Sequence, residues 1–340
     1  MRRSVDHGSF ERARLRSTQL PDLPTALTQW AQGEAVVLPG LCADLVREQR
    51  AAIDATCLAF DRFREGDEFL DDLDGRLADS EFFRYAGSTI DRSDLREIEK
   101  VFIDVPGDRD HRRVRDLTVR LSWIAHDESD LSMRIRVSFG HDAAADWLRE
   151  DPRASWSERL AVELYPEHAA LREHAGLREW LTALRPTGVR TCELIVYSNA
   201  PGGGAFFHHD GDPGQRGVAY VQLRGETVWL TAPAHDLAAM LAETTGHAVE
   251  EILARMQQLD GDEELIAALN TDPALTRALT ERGCAHLLEA GDAILLPSLE
   301  TASPCWHSVF GIGARPSLAH SMALYDPLPE PLLDARLRAR

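Results

Sequence analysis

The second half of the chain consists of short β-type segments around one helical stretch, and this arrangement restricts the fold more than any other feature. Pro186 and Gly188 end a helical region, after which short apolar runs occupy 192–197, 205–209, 218–223 and 227–231. The stretch 234–282 has helical spacing, and strand-like runs resume at 285–289, 293–296, 306–310 and 317–324. About eight short strands around one helical insertion predict a jelly roll.

The first half of the chain is harder to assign. The segment 33–40, GEAVVLPG, has the pattern of a short buried strand that ends in a turn, and we expect it to join the core. The densely charged stretch 61–130 contains apolar clusters but stays unassigned. We therefore predict a mixed α+β protein with two parts, a largely helical N-terminal support region at 1–185 and a double-stranded β-helix (jelly roll or cupin) core at 186–328.

The composition excludes several classes of protein. The formal charge of -19 repels phosphate backbones, so nucleic acid is not expected as a partner. The sequence has no apolar run of about 18 residues and no secretory signal pattern, which predicts a cytoplasmic protein without a membrane partner. The five cysteines are scattered and never spaced as C-x-x-C, so neither a disulfide framework nor a zinc-thiolate site is expected.

The basic residues are almost all arginine. Of 37 lysines and arginines, Lys100 is the single lysine. A fixed cationic partner for a carboxylate is therefore expected to be an arginine, whose planar guanidinium binds carboxylates through two hydrogen bonds.

The segment Phe206 to Asp210 contains a candidate pair of metal ligands. Side chains two apart on a strand project from the same face, so His208 and Asp210 converge on one point. A third imidazole from a distant strand would complete a site of two histidines and one carboxylate, which leaves coordination positions open on Fe(II). His307 is the candidate for that imidazole, whereas His209 is expected to point to the opposite face.

The order of these residues resembles the 2-oxoglutarate and Fe(II) oxygenase superfamily. In that family an early His-x-Asp and a late histidine, on a strand that follows a Gly-Asp turn, hold the iron; here the turn is Gly291-Asp292. The resemblance implies His208, Asp210 and His307 as the metal ligands, and Fe(II) and 2-oxoglutarate as cofactors.

Three further segments are similar to branches of the same superfamily. Arg315-Pro316-Ser317 resembles an Arg-x-Ser element that binds the distal carboxylate of 2-oxoglutarate, which implies Arg315 and Ser317 as cosubstrate ligands. Tyr197, placed as in prolyl-hydroxylase-like enzymes, is implied as another. Gln222 to Gly225 is similar to JmjC-type cupins, but Thr227 stands where those enzymes usually have a lysine.

The resemblance implies an oxygenase that hydroxylates a small molecule or an amino-acid or peptide side chain with molecular oxygen. Two alternatives stay open: a cupin-type metal-dependent dioxygenase or isomerase that does not use 2-oxoglutarate, and a non-catalytic jelly-roll binding module. The acidic composition favours a cationic or neutral substrate over a polyanion. We expect the insertion 234–282 to cover the mouth of the barrel, or else to form a contact in a homodimer.

Overall fold

Antiparallel strands form the centre of the protein in a computed structural model that describes residues 15–90, 96–104, 117–125, 129–139, 154–210, 214–259, 261–298 and 304–327. The strands are β1 (Val36–Leu38), β2 (Arg84–Thr89), β3 (Glu97–Asp104), β4 (Leu117–Trp123), β5 (Met133–Phe139), β6 (Arg190–Ser198), β7 (Gly204–His208), β8 (Gln215–Arg224), β9 (Thr227–Pro233), β10 (Ala285–Leu288), β11 (Ala293–Pro297), β12 (Cys305–Gly311) and β13 (Leu318–Tyr325).

Within the described residues the strands form a large sheet of nine and a small sheet of four. The large sheet has the order β1-β11-β8-β13-β6-β5-β4-β3-β2, and the small sheet has the order β10-β9-β12-β7. The paired strands run antiparallel. From β6 onward, consecutive strands alternate between the sheets, except for β9 and β10 on either side of the insertion. The mixed helix and sheet architecture, with its large antiparallel sheets, is consistent with a jelly roll.

Helices cover the outer faces of both sheets. They are α1 (Leu23–Ala31), α2 (Ala43–Glu48), α3 (Arg50–Glu65), α4 (Phe69–Leu77), α5 (Ala154–Leu164), α6 (Pro166–Glu173), α7 (Ala175–Leu184), α8 (Ala234–Thr245), α9 (Val249–Met256), α10 (Glu263–Thr271) and α11 (Pro273–Glu281). Helices α1 to α7 pack on the large sheet, where Phe60, Leu73 and Val196 belong to one apolar cluster. A separate cluster that includes Tyr220 and Trp229 fills the space between the sheets.

The insertion α8–α11 packs on the outer face of the small sheet. Leu241 of α8 and Leu279 of α11 share a buried cluster with Leu230 of β9 and Phe310 of β12. Because alternate residues of a strand face opposite sides, these sheet residues point away from the barrel interior. These contacts place the insertion on the outer face of the small sheet. They do not show the insertion covering the mouth of the barrel, as the sequence analysis expects.

The N-terminal region contains more strand than the sequence analysis expects. The segment 33–40 contributes β1, which pairs with β11 and so joins the large sheet. Strands β2 to β5 extend the same sheet beyond β6, and β3 and β4 coincide with the apolar clusters left unassigned in 61–130. The alternation of apolar and charged residues in these strands is interrupted by bulges, which weakened the pattern in the sequence.

In the ranges that the structure describes, no helix is both long enough and apolar enough to cross a membrane.

Candidate metal centre

His208, Asp210 and His307 lie together at the end of the small sheet. One donor atom of each lies within 4.8 Å of the others. The register of the sheet is the cause, because His307 of β12 is the direct partner of His208 at the end of β7. His307 Nε2 lies 3.5 Å from Asp210 Oδ2, and His208 Nε2 lies 3.9 Å from Asp210 Oδ1. The three residues that the sequence singled out are therefore brought to one point.

Backbone carbonyls fix the orientation of both imidazoles. His208 Nδ1 lies 2.7 Å from the Phe206 carbonyl oxygen, and His307 Nδ1 lies 3.1 Å from that of Cys305. A carbonyl can only accept a hydrogen bond, so each Nδ1 must carry the proton and donate it. Each Nε2 then keeps a free lone pair, and both point toward Asp210. Such a hydrogen bond to the second nitrogen is the usual way to orient a metal-binding histidine.

The three candidate ligands differ in exposure. The His307 side chain is only 4% exposed, whereas those of His208 and Asp210 are 41% and 36% exposed. Burial, with a further contribution from His208, lowers the pKa of His307 to about 4. Its imidazole is therefore neutral near pH 7 and able to bind a metal ion. The site has one buried wall and one side open to solvent, as an enzyme that must admit a substrate requires.

Trp229 of β9 supports the buried ligand. Its ring stacks on that of His307 with 5.5 Å between centroids and 29° between planes. Tyr220 packs edge-on against Trp229, with 4.6 Å between the ring centroids. The two aromatic rings hold the His307 imidazole within the barrel.

His209 lies away from the three ligands. Its ring packs 4.9 Å from that of Trp306, which belongs to the apolar cluster on the outer face of the small sheet. Burial lowers the pKa of His209. Asp212, which the sequence offers as a second carboxylate close to His208, lies outside the described residues.

Gln222 occupies the centre of a closed hydrogen-bond network inside the barrel. It is fully buried, and its Oε1 accepts from the Tyr220 hydroxyl at 3.1 Å and from Thr227 Oγ1 at 2.8 Å. Its Nε2 donates to the carbonyls of Arg224 and Leu318 at 2.7 and 3.1 Å. Thr227 is thus a structural partner of Gln222.

The three residues expected to bind a cosubstrate lie at different depths. Tyr197 of β6 is partly buried beside Tyr220, with ring centroids 6.2 Å apart, and burial raises its pKa to about 12. Ser317, just before β13, is 2% exposed. Arg315 is exposed in the loop between β12 and β13.

Asn199 is a polar residue of the barrel interior that the sequence analysis did not select. It is fully buried, and both atoms of its amide have no hydrogen-bond partner among the described residues. The same is true of the Ser317 hydroxyl, and the Ser317 backbone N–H donates to the Asn199 carbonyl at 2.9 Å. Since unpaired buried polar groups are costly, this pair is suited to a polar ligand. The signal in the sequence was its spacing, two residues after Tyr197.

Comparisons with known proteins give remote similarities. No protein-family model matches the sequence, and no curated protein matches it. Among solved structures, the non-heme alpha ketoglutarate dependent carbocyclase SnoK from nogalamycin biosynthesis is 12% identical, with a TM-score of 0.40 over 89% of this chain and 83% of that one. The epimerase SnoN from the same biosynthesis is 14% identical, with a TM-score of 0.35 and the same coverage. An oxidoreductase of the 2OG-Fe(II) oxygenase family from Burkholderia pseudomallei is 10% identical, with a TM-score of 0.34 over 92% and 94%.

TM-scores of this size do not assign a role to any residue. The chemistry of the site therefore has to be argued from its own geometry.

Proposed function

We propose that this chain is an Fe(II)- and 2-oxoglutarate-dependent oxygenase with a double-stranded β-helix core. The observation that supports this most strongly is the convergence of His208, Asp210 and His307, with both imidazoles oriented by carbonyls so that Nε2 faces the carboxylate. Two neutral imidazoles and one carboxylate are the donor set of non-haem Fe(II) oxygenases. The strand orders β11-β8-β13-β6 and β10-β9-β12-β7 support the proposed core.

The residues around the metal fit a 2-oxoglutarate ligand at the barrel floor. When bound, Fe(II) and the keto acid would supply the activation of molecular oxygen. The Asn199 amide and the Ser317 hydroxyl together offer three N–H and O–H donors and two acceptor oxygens without hydrogen-bond partners among the described residues, and Tyr197 adds a hydroxyl. Their role is to hold the distal carboxylate, while Trp229 and Tyr220 exclude water from that side.

Arg315 is the proposed cationic partner of that carboxylate. Because its side chain is exposed, water screens the pairing, and we expect a smaller contribution than a buried guanidinium would make. The proposed reaction is hydroxylation of a small molecule or of an amino-acid or peptide side chain. Desaturation or ring closure would use the same residues.

A second candidate function is a cupin-type dioxygenase or isomerase that binds the same metal without 2-oxoglutarate. Two observations favour it. The Arg315 side chain is exposed, and Thr227, at the position where JmjC-type enzymes usually have a lysine that binds 2-oxoglutarate, is instead hydrogen-bonded to Gln222. The converged ligands make a non-catalytic binding module the weakest of the three interpretations.

Succinate formation from 2-oxoglutarate with Fe(II) and oxygen tests the proposal directly. We expect the wild type to form succinate and Asn199→Ala to weaken 2-oxoglutarate binding by at least about tenfold, or about 1.4 kcal/mol. Arg315→Leu should weaken it by less, because the side chain is exposed, and neither variant should change the iron affinity. Arg178→Leu is a matched control, since Arg178 is 64% exposed on α7. A wild type that binds iron but neither binds nor consumes 2-oxoglutarate would support the cupin-type enzyme instead. If Arg315→Leu bound 2-oxoglutarate as tightly as the wild type, Arg315 would not be a ligand of the cosubstrate, and the rest of the proposed site would be unaffected.

A further inference from the structure

The inner face of the small sheet carries a polar pair that the candidate metal centre does not use. In β10, Ala285 and Leu287 belong to the apolar cluster on the outer face, whereas Leu288 belongs to the cluster between the sheets. Because side chains alternate along a strand, His286 faces the same side as Leu288. Its direct partner on β9 is Trp229, which belongs to the same interior cluster. His286 is therefore a residue of the barrel interior.

Thr231 of β9 lies between His286 and the metal centre. Its hydroxyl oxygen is 3.1 Å from His286 Nε2. Thr231 is also the direct partner of His307 on β12, and directly paired residues of neighbouring strands project from the same face. Strands β10 and β12 flank β9, so they are two strand spacings, or about 10 Å, apart. A molecule that reaches from His286 to the metal ligands thus has the length of a small organic substrate.

One ring nitrogen of His286 is left for a ligand. The side chain is half-buried, and Thr231 is its single hydrogen-bond partner among the described residues. Burial lowers the pKa of His286 to about 4, so the imidazole is neutral near pH 7. A neutral imidazole has one N–H and one lone pair, and a hydroxyl can pair with either of them. Nδ1 is therefore able to donate a hydrogen bond to a ligand in one tautomer and to accept one in the other.

The metal-binding end of the barrel is apolar and disfavours anions. Leu296 of β11 and Cys305 of β12 belong to the interior cluster. Burial raises the pKa of the Cys305 thiol. The neighbours that raise it further are Cys284, Glu34 and Asp210, whose ionised forms are all negative. A carboxylate or phosphate would be repelled here, whereas a neutral polar group would not.

We propose that His286, held by Thr231, binds a neutral hydroxyl or carbonyl group of an otherwise apolar substrate and so positions that substrate at the metal centre. This inference rests on the proposed function and adds its substrate class. A substrate that lacks such a group would leave Nδ1 of His286 shut off from water without a partner, which is costly. The site therefore selects small uncharged molecules with an apolar body and an oxygen at one end.

Three uncharged probes test the proposal on the full-length protein loaded with Mn(II) and 2-oxoglutarate. They are 3-phenylpropan-1-ol, 4-phenylbutan-2-one and the hydrocarbon propylbenzene. Nuclear relaxation of the probe protons reports affinity and proximity to the paramagnetic ion. We expect the alcohol, the ketone or both to bind at least about fivefold more tightly than propylbenzene, or about 1 kcal/mol. Binding of the ketone, which can only accept, identifies Nδ1 as the donor.

The orientation of the bound probe is a second readout. If His286 holds the oxygen beside β10, the phenyl ring extends toward β12 and the metal ligands. Paramagnetic relaxation falls steeply with distance, so the ring protons should relax faster than the protons next to the oxygen. Propylbenzene, which has no polar end, should show a smaller difference between its two ends.

Three variants connect the preference to the polar pair. His286→Phe keeps an aromatic ring without its nitrogens and should abolish both the preference and the orientation, with unchanged Mn(II) affinity. His286→Gln keeps a donor and an acceptor and should retain part of the preference. Thr231→Val removes the hydroxyl that holds the imidazole and should lower the preference, which tests the site if His286→Phe does not fold. His247→Phe is the control, since His247 pairs with Glu251 on the surface of the insertion and should match the wild type.

The outcomes separate this inference from the proposed function. Failure to bind Mn(II) and 2-oxoglutarate would contradict the proposed function itself. If both bind normally but the alcohol and the ketone gain nothing over propylbenzene, including no binding by any probe, the inference is wrong on its own. A preference that persists in both His286→Phe and Thr231→Val would also overturn it, because the oxygen would then bind elsewhere.

Discussion

At the scale of single residues, the candidate metal centre depends on which nitrogen of each histidine is protonated. The carbonyls of Phe206 and Cys305 require a proton on Nδ1 of His208 and His307, so Nε2 is the nitrogen left free for a metal ion in both. These carbonyls come from the residues two positions before each histidine. The local geometry of each strand thus prepares its own ligand, and the sheet register only has to bring the two together.

Removal of a ligand should abolish metal binding without unfolding the protein. Metal at a hundred times its Kd stabilises a binding-competent protein by about 2.7 kcal/mol, so Fe(II) added without oxygen should raise the Tm of the wild type. We expect no such rise and no turnover for Asp210→Ala or His307→Ala. The thermal unfolding of the metal-free variants should stay cooperative, because neither change removes apolar core volume.

His209→Ala is the matched control for these variants. Its ring packs against Trp306, so the variant should keep the metal-dependent rise in Tm. Loss of the rise in His209→Ala together with its retention in His208→Ala would show that the assignment of ligands on this segment is wrong.

At the scale of elements, α6 and β13 enclose a buried polar cluster behind the large sheet. Glu167 and His320 are fully buried, and His168 is 2% exposed. His320 Nε2 lies 3.6 Å from Glu167 Oε1, which also accepts from the Thr56 hydroxyl at 2.8 Å. Burial, followed by the charges of His320 and Arg172, lowers the pKa of His168 well below its usual value. Helix α6 is therefore packed on the large sheet through the neutral side chain of His168.

The His168 cluster should make stability depend on pH. The unfolded chain takes up a proton on His168 near pH 6.5, whereas the folded protein does so only at lower pH. Between the two values the unfolded state binds more protons, so the free energy of unfolding falls as the pH drops below about 6.5. Urea unfolding between about pH 7.5 and pH 5 should show a smaller fall for His168→Gln than for the wild type.

His235→Gln provides the comparison for that measurement. The His235 side chain is 70% exposed at the start of α8, so its removal should leave the pH dependence as in the wild type. If the free energy of unfolding depended on pH equally in the His168 and His235 variants, His168 would not contribute to the pH dependence of stability. A chelator in all samples keeps metal binding from adding its own pH dependence.

At the scale of the whole molecule, the charge of -19 opposes folding through self-repulsion. Salt should reduce this cost, because the Debye length falls from about 10 Å at 0.1 M to about 3 Å at 1 M. We expect the Tm at pH 7.5 to rise with sodium chloride. Near the isoelectric point of about 5.1 the net charge vanishes, and the same salt series should then have little effect. A rise of equal size at both pH values would mean that the salt acts through something other than net charge.

The sequence by itself determined the elements whose pattern is local. The strands of the second half, the insertion between β9 and β10, and the pairing of His208 with Asp210 on one face follow from periods of two and of 3.6 residues. The order of the motifs also selected His307 from a distance of about a hundred residues, through the family resemblance. The roles of Arg315, Ser317 and Tyr197 stay predictions.

Tertiary structure alone decided how distant segments combine. Strands β2 to β4 were hidden by charge and bulges, and only their pairing shows that they extend the large sheet beyond β5 and β6. The depth of a side chain is likewise set by neighbours far away in the sequence, which is why the Asn199 amide is buried with no hydrogen-bond partner among the described residues, whereas Arg315 is exposed. Net charge is a sum over the whole chain, whereas a ligand at a binding site interacts mainly with the few charges within a Debye length. The fold determines which charges lie that close.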